Sequence, residues 1–299
     1  MKKILLLLFM APGPFTFAQN GLDFDGVDDV VQTTYSGVLG AADRTFEAWI
    51  YQPTANTSNE CILDYGLNAV GSRNTLSVGG TNNLVFISGG TNANMGSSAN
   101  DIPVGQWTHI AFVLNAGTGF MYVNGVQVAT SNLSTVNTPT GGVNLKIGDR
   151  VTGGSIPYSG IIDELRIWDV ARTGAELMAD MNTEFCGVLP MNLIAYYKAN
   201  QGVASGTNTS ETTLIDDGPV GYDGVLTNFA LSGTASNWVT GAPVASGGST
   251  SNITEVSCFT FTAPSGAVYD SSGTYVDVIP NSAGCDSTIT IDLTINTVN

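Results

Sequence analysis

The stretch GFMYVNGVQVAT, residues 119–130, decides the fold class. Two β-rich runs flank Asn124-Gly125, and both of those residues tolerate a positive φ, so a two-residue type I′ hairpin turn is expected. Outward from it, GQWTHIAFVLN (105–115) and RTFEAWIY (44–51) alternate with a period of two. Phe46, Ala48 and Ile50 fall on one side of their run, and Glu47, Trp49 and Tyr51 on the other. SGIIDELRIWD (159–169) reads as a further strand. Short β-rich runs separated by Gly, Asn, Thr and Ser continue along the chain, and helical periodicity is nearly absent. The exception is TGAELMADMN (173–182), where Thr173 and Glu176 have the spacing of a capping box and Leu177 and Met181 share a face. A helix this short must dock on a sheet edge or sandwich rim. The class implied is all-β: an antiparallel sandwich with one short rim helix.

Charge and composition narrow the setting. Lys2 and Lys3, the apolar run Ile4–Met10 and Thr16-Phe17-Ala18 have the layout of a signal peptide over residues 1–18, with a mature chain beginning at Gln19. That apolar run is too short to span a bilayer and no later run is long enough, so membrane insertion is not expected. The chain has 9 Lys and Arg against 25 Asp and Glu, a net charge of −16. Such a surface repels nucleic acid, and its carboxylates suit Ca²⁺ or plain solubility. VASGGSTSN (244–252) has the composition of a flexible linker, and residues 253–299 read as a small all-β module of about four strands. The four cysteines, Cys61, Cys186, Cys258 and Cys285, form no CxxC pair, and an exported chain favours disulfides. Three pairings exist. Cys258–Cys285 is expected because both lie in the tail module, and Cys61–Cys186 follows by elimination.

The strings LDFDGVDDVV, TFEAWIY, WTHIAFVLN with GFMYVNGVQV, LKIGDR and GIIDELRIWDVARTGAEL occur in this order. Together they resemble the laminin-G-like, concanavalin-A-like jelly roll, including its pentraxin-like branch, over residues 19–183. Residues 184–243 contain LIAYYKANQG and DDGPVGYDGVLTN, which resemble strands that such jelly rolls carry before their DFDG string. Here they follow it, and they are expected to pack back onto the sandwich as a circular permutation would. The tail string PSGAVYDSSGTYVDVIPNSAGCDSTITIDLTI resembles an adhesin-type repeat of large bacterial surface proteins. The fold hosts lectins, adhesion modules, glycosidases and spacers. The resemblance implies a secreted or cell-surface recognition module for a glycan or a surface protein and does not fix the oligomeric state. The alternatives are a glycoside hydrolase on this fold and a spacer of a larger adhesin.

Candidate site residues follow. LDFDGVDDVV places Asp23, Asp25, Asp28 and Asp29 together. Counted from Asp23, the twelfth position is Thr34, which excludes an EF-hand loop. A hydrated turn at Asp25-Gly26 competes with a metal site. The resemblance implies a structural Ca²⁺ between the first and last strand regions, pairing Asp25 or Asp28 with Asp163. By alternation, Asp163 counts onto the row of Ile161, Leu165 and Ile167, where a carboxylate is costly unless paired or metal-bound. A retaining glycosidase needs two carboxylates about 5 Å apart. The laminarinase-type hydrolases of this fold carry both on one strand as E-x-D-x-x-E, a string missing here, which leaves Glu47 and Glu164 on neighbouring strands as the pair to consider. His109 is the one histidine, and its place in a core-strand string points to structure rather than a triad. Finally, Glu47, Trp49, Tyr51, Trp107, His109, Glu164, Arg166 and Trp168 would form one aromatic, charged face if their strands are neighbours. Either that face binds glycan, or residues 191–240 cover it, with Glu47 and Arg166 as a buried pair.

Overall fold

In the computed structural model, which describes residues 19–90, 93–245, 247–280 and 285–296, the β-rich runs pair into two eight-stranded sheets. The signal peptide expected over residues 1–18 lies outside the described residues. One sheet runs β10 (Val126–Asn132), β9 (Thr118–Val123), β8 (Trp107–Asn115), β3 (Arg44–Tyr51), β12 (Ser159–Trp168), β1 (Asn20–Asp25) and β16 (Trp238–Thr240). Beside β1, β13 (Leu193–Tyr197) pairs with the second half of β12. The other sheet runs β14 (Thr213–Leu214), β15 (Gly224–Thr227), β2 (Val30–Thr33), β11 (Val143–Ile147), β4 (Glu60–Gly66), β5 (Arg73–Val78), β6 (Leu84–Ile87) and β7 (Asn94–Gly96). All these pairings are antiparallel. The hairpin turn is the one that Asn124-Gly125 predicts: Val123 pairs with Val126, and φ is 49° at Asn124 and 75° at Gly125.

The core sits between the sheets, where alternation sends every second side chain. Phe46, Ala48 and Ile50 with Ile110, Phe112 and Leu114 face Leu63, Tyr65, Leu76 and Phe86. Phe86 stacks on Phe112 at 3.8 Å between ring centroids, and Phe46 meets Tyr65 edge-on at 5.8 Å. Residues 184–243 are part of this sandwich and not an outer layer on it. They add β13 and β16 to the first sheet and β14 and β15 to the second, and they bury Tyr197, Leu214 and Trp238 in the core.

The helix α1 (Gly174–Asp180) carries the capping box: Thr173 and Glu176 each bond the other's backbone N–H. Its apolar residue Leu177 packs on Ala111, Val113 and Tyr122, which point away from the core. The helix therefore lies over the outer face of the first sheet.

The tail module forms a three-stranded sheet in which β21 (Asp286–Ile295) lies between β17 (Ser249–Ser257) and β20 (Gly273–Pro280). A two-residue pair, β18 (Phe261–Thr262) with β19 (Val268–Tyr269), accompanies it. The stretch 244–252, a linker by composition, is in part strand: from Ser249 onward it pairs with β21. Main-chain hydrogen bonding holds a segment whose side chains alone would allow a coil. The cysteine expectation needs correcting too. The disulfide is Cys186–Cys285, while Cys61 and Cys258 are unbridged. The reason is register. Strands β17 and β21 run parallel, so Cys285 sits at the start of the module and Cys258 beyond the Ser257↔Ile295 pair at its far end, about 30 Å away. Cys61 is buried on β4, opposite Ser77 of β5.

Candidate functional site

The outer face of the first sheet carries most of the predicted site residues, because β8, β3 and β12 are neighbours there. The structure brings together Glu47, Trp49, His109, Glu164, Arg166 and Trp168, and buries all of them. Glu47 accepts from Trp168 Nε1 at 2.8 Å, and His109 Nε2 lies 3.1 Å from its other oxygen. Arg166 donates to Glu164 at 2.6 Å and to the carbonyls of Asp180 and Thr183. Tyr196, from β13, donates to the same Glu164 oxygen at 2.5 Å. Phe185 stacks over the Arg166 guanidinium at 4.2 Å. The cover is α1 with residues 181–185, reinforced by Ala242 and Val244 over Trp49, and not the segment 191–240 as a whole. Burial raises Glu47, but His109 and Arg166 outweigh it and the group ends below its ordinary range. Burial dominates at Glu164, which is pushed up to about 7. Glu47 and Glu164 are thus both buried and tied to Arg166, His109, Trp168 and Tyr196.

Asp163 is not on the core-facing row and not beside Asp25. A β-bulge changes the count: Asp163 pairs with Trp49 but Arg166 with Glu47, so Glu164 and Leu165 together face one residue of β3. Glu164 takes φ 52° to do this. Ile162, Leu165 and Ile167 then point inward, and Asp163 points outward with Trp49. Its carboxylate accepts from the backbone N–H groups of Glu164 and Ala242, each at 2.7 Å. It thereby anchors residues 241–245 as a strap across the face. Gly241 is required there, since a β-carbon would fall 2.5 Å from Asp163 Oδ2. Leu22 pairs with Ile162 and Asp25 with Ser159, so Asp25 and Asp163 lie about 13 Å apart.

The acidic cluster that does form is Asp25, Asp28 and Asp29, with one carboxylate oxygen of each within 4.8 Å of the others. Asp25 and Asp28 are exposed, and Asp29 is buried. Gly26 turns the chain with φ 76°, and Asp25 accepts from the Val27 N–H at 2.8 Å. Asp29 accepts from the Asp25 N–H at 2.9 Å and the Ser236 hydroxyl at 2.8 Å. Burial, together with Asp25 and Asp28, still leaves its pKa raised. Three hard oxygen donors at this spacing fit Ca²⁺. Of the three expected ligands, Asp25 and Asp28 fall in this cluster with Asp29, and Asp163 lies apart from it.

Beyond the strap, part of the outer face stays open. Trp107, Tyr51, Ile161 and Asp23 are consecutive cross-strand partners on β8, β3, β12 and β1, and each is partly exposed. The Tyr51 and Trp107 rings lie 5.7 Å apart, inclined at 58°. At the other end Asp23 Oδ2 accepts from the Ser236 N–H at 2.8 Å. Alternation alone marks Tyr51 and Trp107 as outward, but only the strand register shows that Ile161 and Asp23 complete the row.

Comparison with known proteins places this geometry. The family model Laminin_G_3, described as the concanavalin A-like lectin/glucanases superfamily, matches residues 25–178. Human pappalysin-1 is 35% identical over 86 residues, which are 26% of this chain and 5% of that protein. The fold is similar to that of a Bacteroides ovatus ATCC 8483 protein described as a "putative carbohydrate binding protein", with TM-score 0.53 and 21% identity. That match covers 71% of this chain and 58% of the other. The Ruminococcus gnavus IT-sialidase CBM40 matches with TM-score 0.44 and 14% identity over 53% of this chain and 95% of its own. The chain thus spans a small part of pappalysin-1 and a little over half of the Bacteroides protein.

Proposed function

This chain belongs to the concanavalin A-like lectin/glucanases superfamily, and we propose that it is a non-catalytic extracellular or cell-surface module that binds glycan on the outer face of its first sheet. The observation that carries the reading is the open row of Trp107, Tyr51, Ile161 and Asp23. Aromatic rings stack on the C–H faces of sugar rings, and a carboxylate beside them accepts from sugar hydroxyls. The alternative carboxylate pair, Glu47 and Glu164, is buried, which favours binding over hydrolysis. A bacterial surface context, with the tail module as one repeat of an adhesin, is part of the same proposal. The test is a glycan array probed with the chain from Gln19 onward, with Ca²⁺ and with EDTA. Binding supports the module. Absence of binding under both conditions rejects it in favour of a protein partner or a spacer role.

Ca²⁺ is proposed as a structural ion held by Asp25, Asp28 and Asp29. When bound it offsets their mutual repulsion and fixes the turn between β1 and β2. The melting temperature is then expected to rise with Ca²⁺ and fall with chelator. Asp28→Asn, which touches no buried partner, should abolish the response, and Asp163→Asn should keep it. Equal melting curves with Ca²⁺ and EDTA in the unaltered chain would remove the ion from the proposal.

A further inference from the structure

Resting on the glycan reading, we infer that the ligand is a non-acidic oligosaccharide of at least two pyranose rings, laid across β8, β3, β12 and β1. One ring stacks on Tyr51 and Trp107, and a hydroxyl of another donates to Asp23.

The length follows from strand spacing. Neighbouring strands lie about 4.8 Å apart, so Asp23, two strands from Tyr51, is about 10 Å away and Trp107 about 14 Å. A single ring stacked on the aromatic pair does not reach the carboxylate. Ile161 supplies an apolar floor between the two ends. The direction is set by what borders the row. On one side the strap of residues 241–245 covers the Trp49 row, with Ala242 and Val244 closing it and the partly exposed Trp107 packed against this cluster. On the other side Asp25 is the next residue of β1 on this face. A ligand running along the strands would meet the strap, and one running across them meets only the row.

The charge class follows from the neighbours. Asp23 lies two residues from the first member of the Asp25, Asp28 and Asp29 cluster, so four carboxylates stand at this end. None of the seven described basic side chains belongs to the row. Arg73, Arg166, Arg172 and Lys198 are in ion pairs, Arg44 and Lys146 are turned to backbone carbonyls, and Arg150 lies in the loop after β11. A sugar carboxylate would enter within a Debye length, about 8 Å, of like charges with no cation to meet it. A Ca²⁺ at the cluster would offset part of that charge, and Asp23 is not a member of that cluster. Asp23 suits a hydroxyl donor instead: Ser236 N–H takes one oxygen, and the other has no donor among the described residues.

The experiment is calorimetric titration of the chain from Gln19 onward, in Ca²⁺ buffer. The probes are cello-, laminari- and galacto-oligosaccharides of one to four rings, with sialyllactose and an oligogalacturonide as acidic comparators. Affinity is expected to rise about tenfold or more from one ring to two or three in at least one neutral series. The acidic probes should not bind. Trp107→Ala and Asp23→Asn should each weaken the neutral ligand about tenfold. Trp107→Phe should restore most of the binding lost in Trp107→Ala and abolish any ligand-induced tryptophan fluorescence change, which separates lost stacking from misfolding. Acidic probes that bind, or a single ring that binds as tightly as three, would overturn this inference while leaving glycan binding in place. Neutral binding indifferent to both variants would overturn the assigned row. No binding of any probe would overturn the inference and the glycan reading together.

Discussion

Glu164 and Glu47 have the same chemistry and opposite fates, because each is read by its donors. Glu47 has His109 and Trp168 beside it as well as the Arg166 charge, and stays below the ordinary glutamate range. Glu164 shares Arg166 and adds the Tyr196 hydroxyl, yet burial wins and lifts it to about 7. Its folded pKa is then higher than its unfolded one. The stability tied to this proton is fully present below about 4.5 and is lost as pH rises through about 7, for a total near 3 kcal/mol. Denaturant unfolding at pH 5 and pH 8 should show the unaltered chain losing stability toward pH 8. Glu164→Gln, which keeps the shape and carries no charge, should flatten that part of the slope. An unchanged slope in Glu164→Gln would show that Arg166 keeps Glu164 ionised throughout.

At the scale of elements, the strands and their hairpin were legible because period-two alternation and Asn124-Gly125 are local signals. The capping box of α1 was legible for the same reason. The site was legible only in part. Glu47, Trp49 and His109 were correctly set on one outward face, but one extra residue at Glu164 reversed the count at Asp163, and no composition marks a bulge. The cover over that face was also hidden, since it comes from residues 181–185 and 241–245, far apart in sequence. The disulfide failed for a related reason: nearness in sequence favoured Cys258 for Cys285, whereas parallel pairing of β17 with β21 sends them to opposite ends. A thiol-labelling experiment checks this directly. Under native, non-reducing conditions iodoacetamide should modify Cys258 alone, and after denaturation without reductant Cys258 and Cys61. Cys186 and Cys285 should label only after reduction. A peptide linking Cys258 to Cys285 would contradict the observed pairing.

For the whole molecule, the decisive feature is that the sandwich closes late in the chain. The first sheet receives β13 and β16, and the second receives β14 and β15, from residues that follow the family match at 25–178. Without them β1 and β2 would each keep an unpaired edge, and the core would lose Tyr197, Leu214 and Trp238. Each large core side chain contributes about 2–5 kcal/mol, against a total stability of about 5–15 kcal/mol for a typical domain. Deleting three at once, along with four strands, removes an amount comparable with the whole. A chain ending at Thr183 should therefore show no cooperative thermal transition and should aggregate. A chain ending at Ala245 keeps all sixteen sandwich strands and the strap that Asp163 anchors, and it should melt cooperatively. It gives up only the tail module and the Cys186–Cys285 link. A stable, monomeric fold from the shorter chain would mean that residues 184–243 decorate the sandwich instead of completing it, and the open row would then belong to a unit that stands without them.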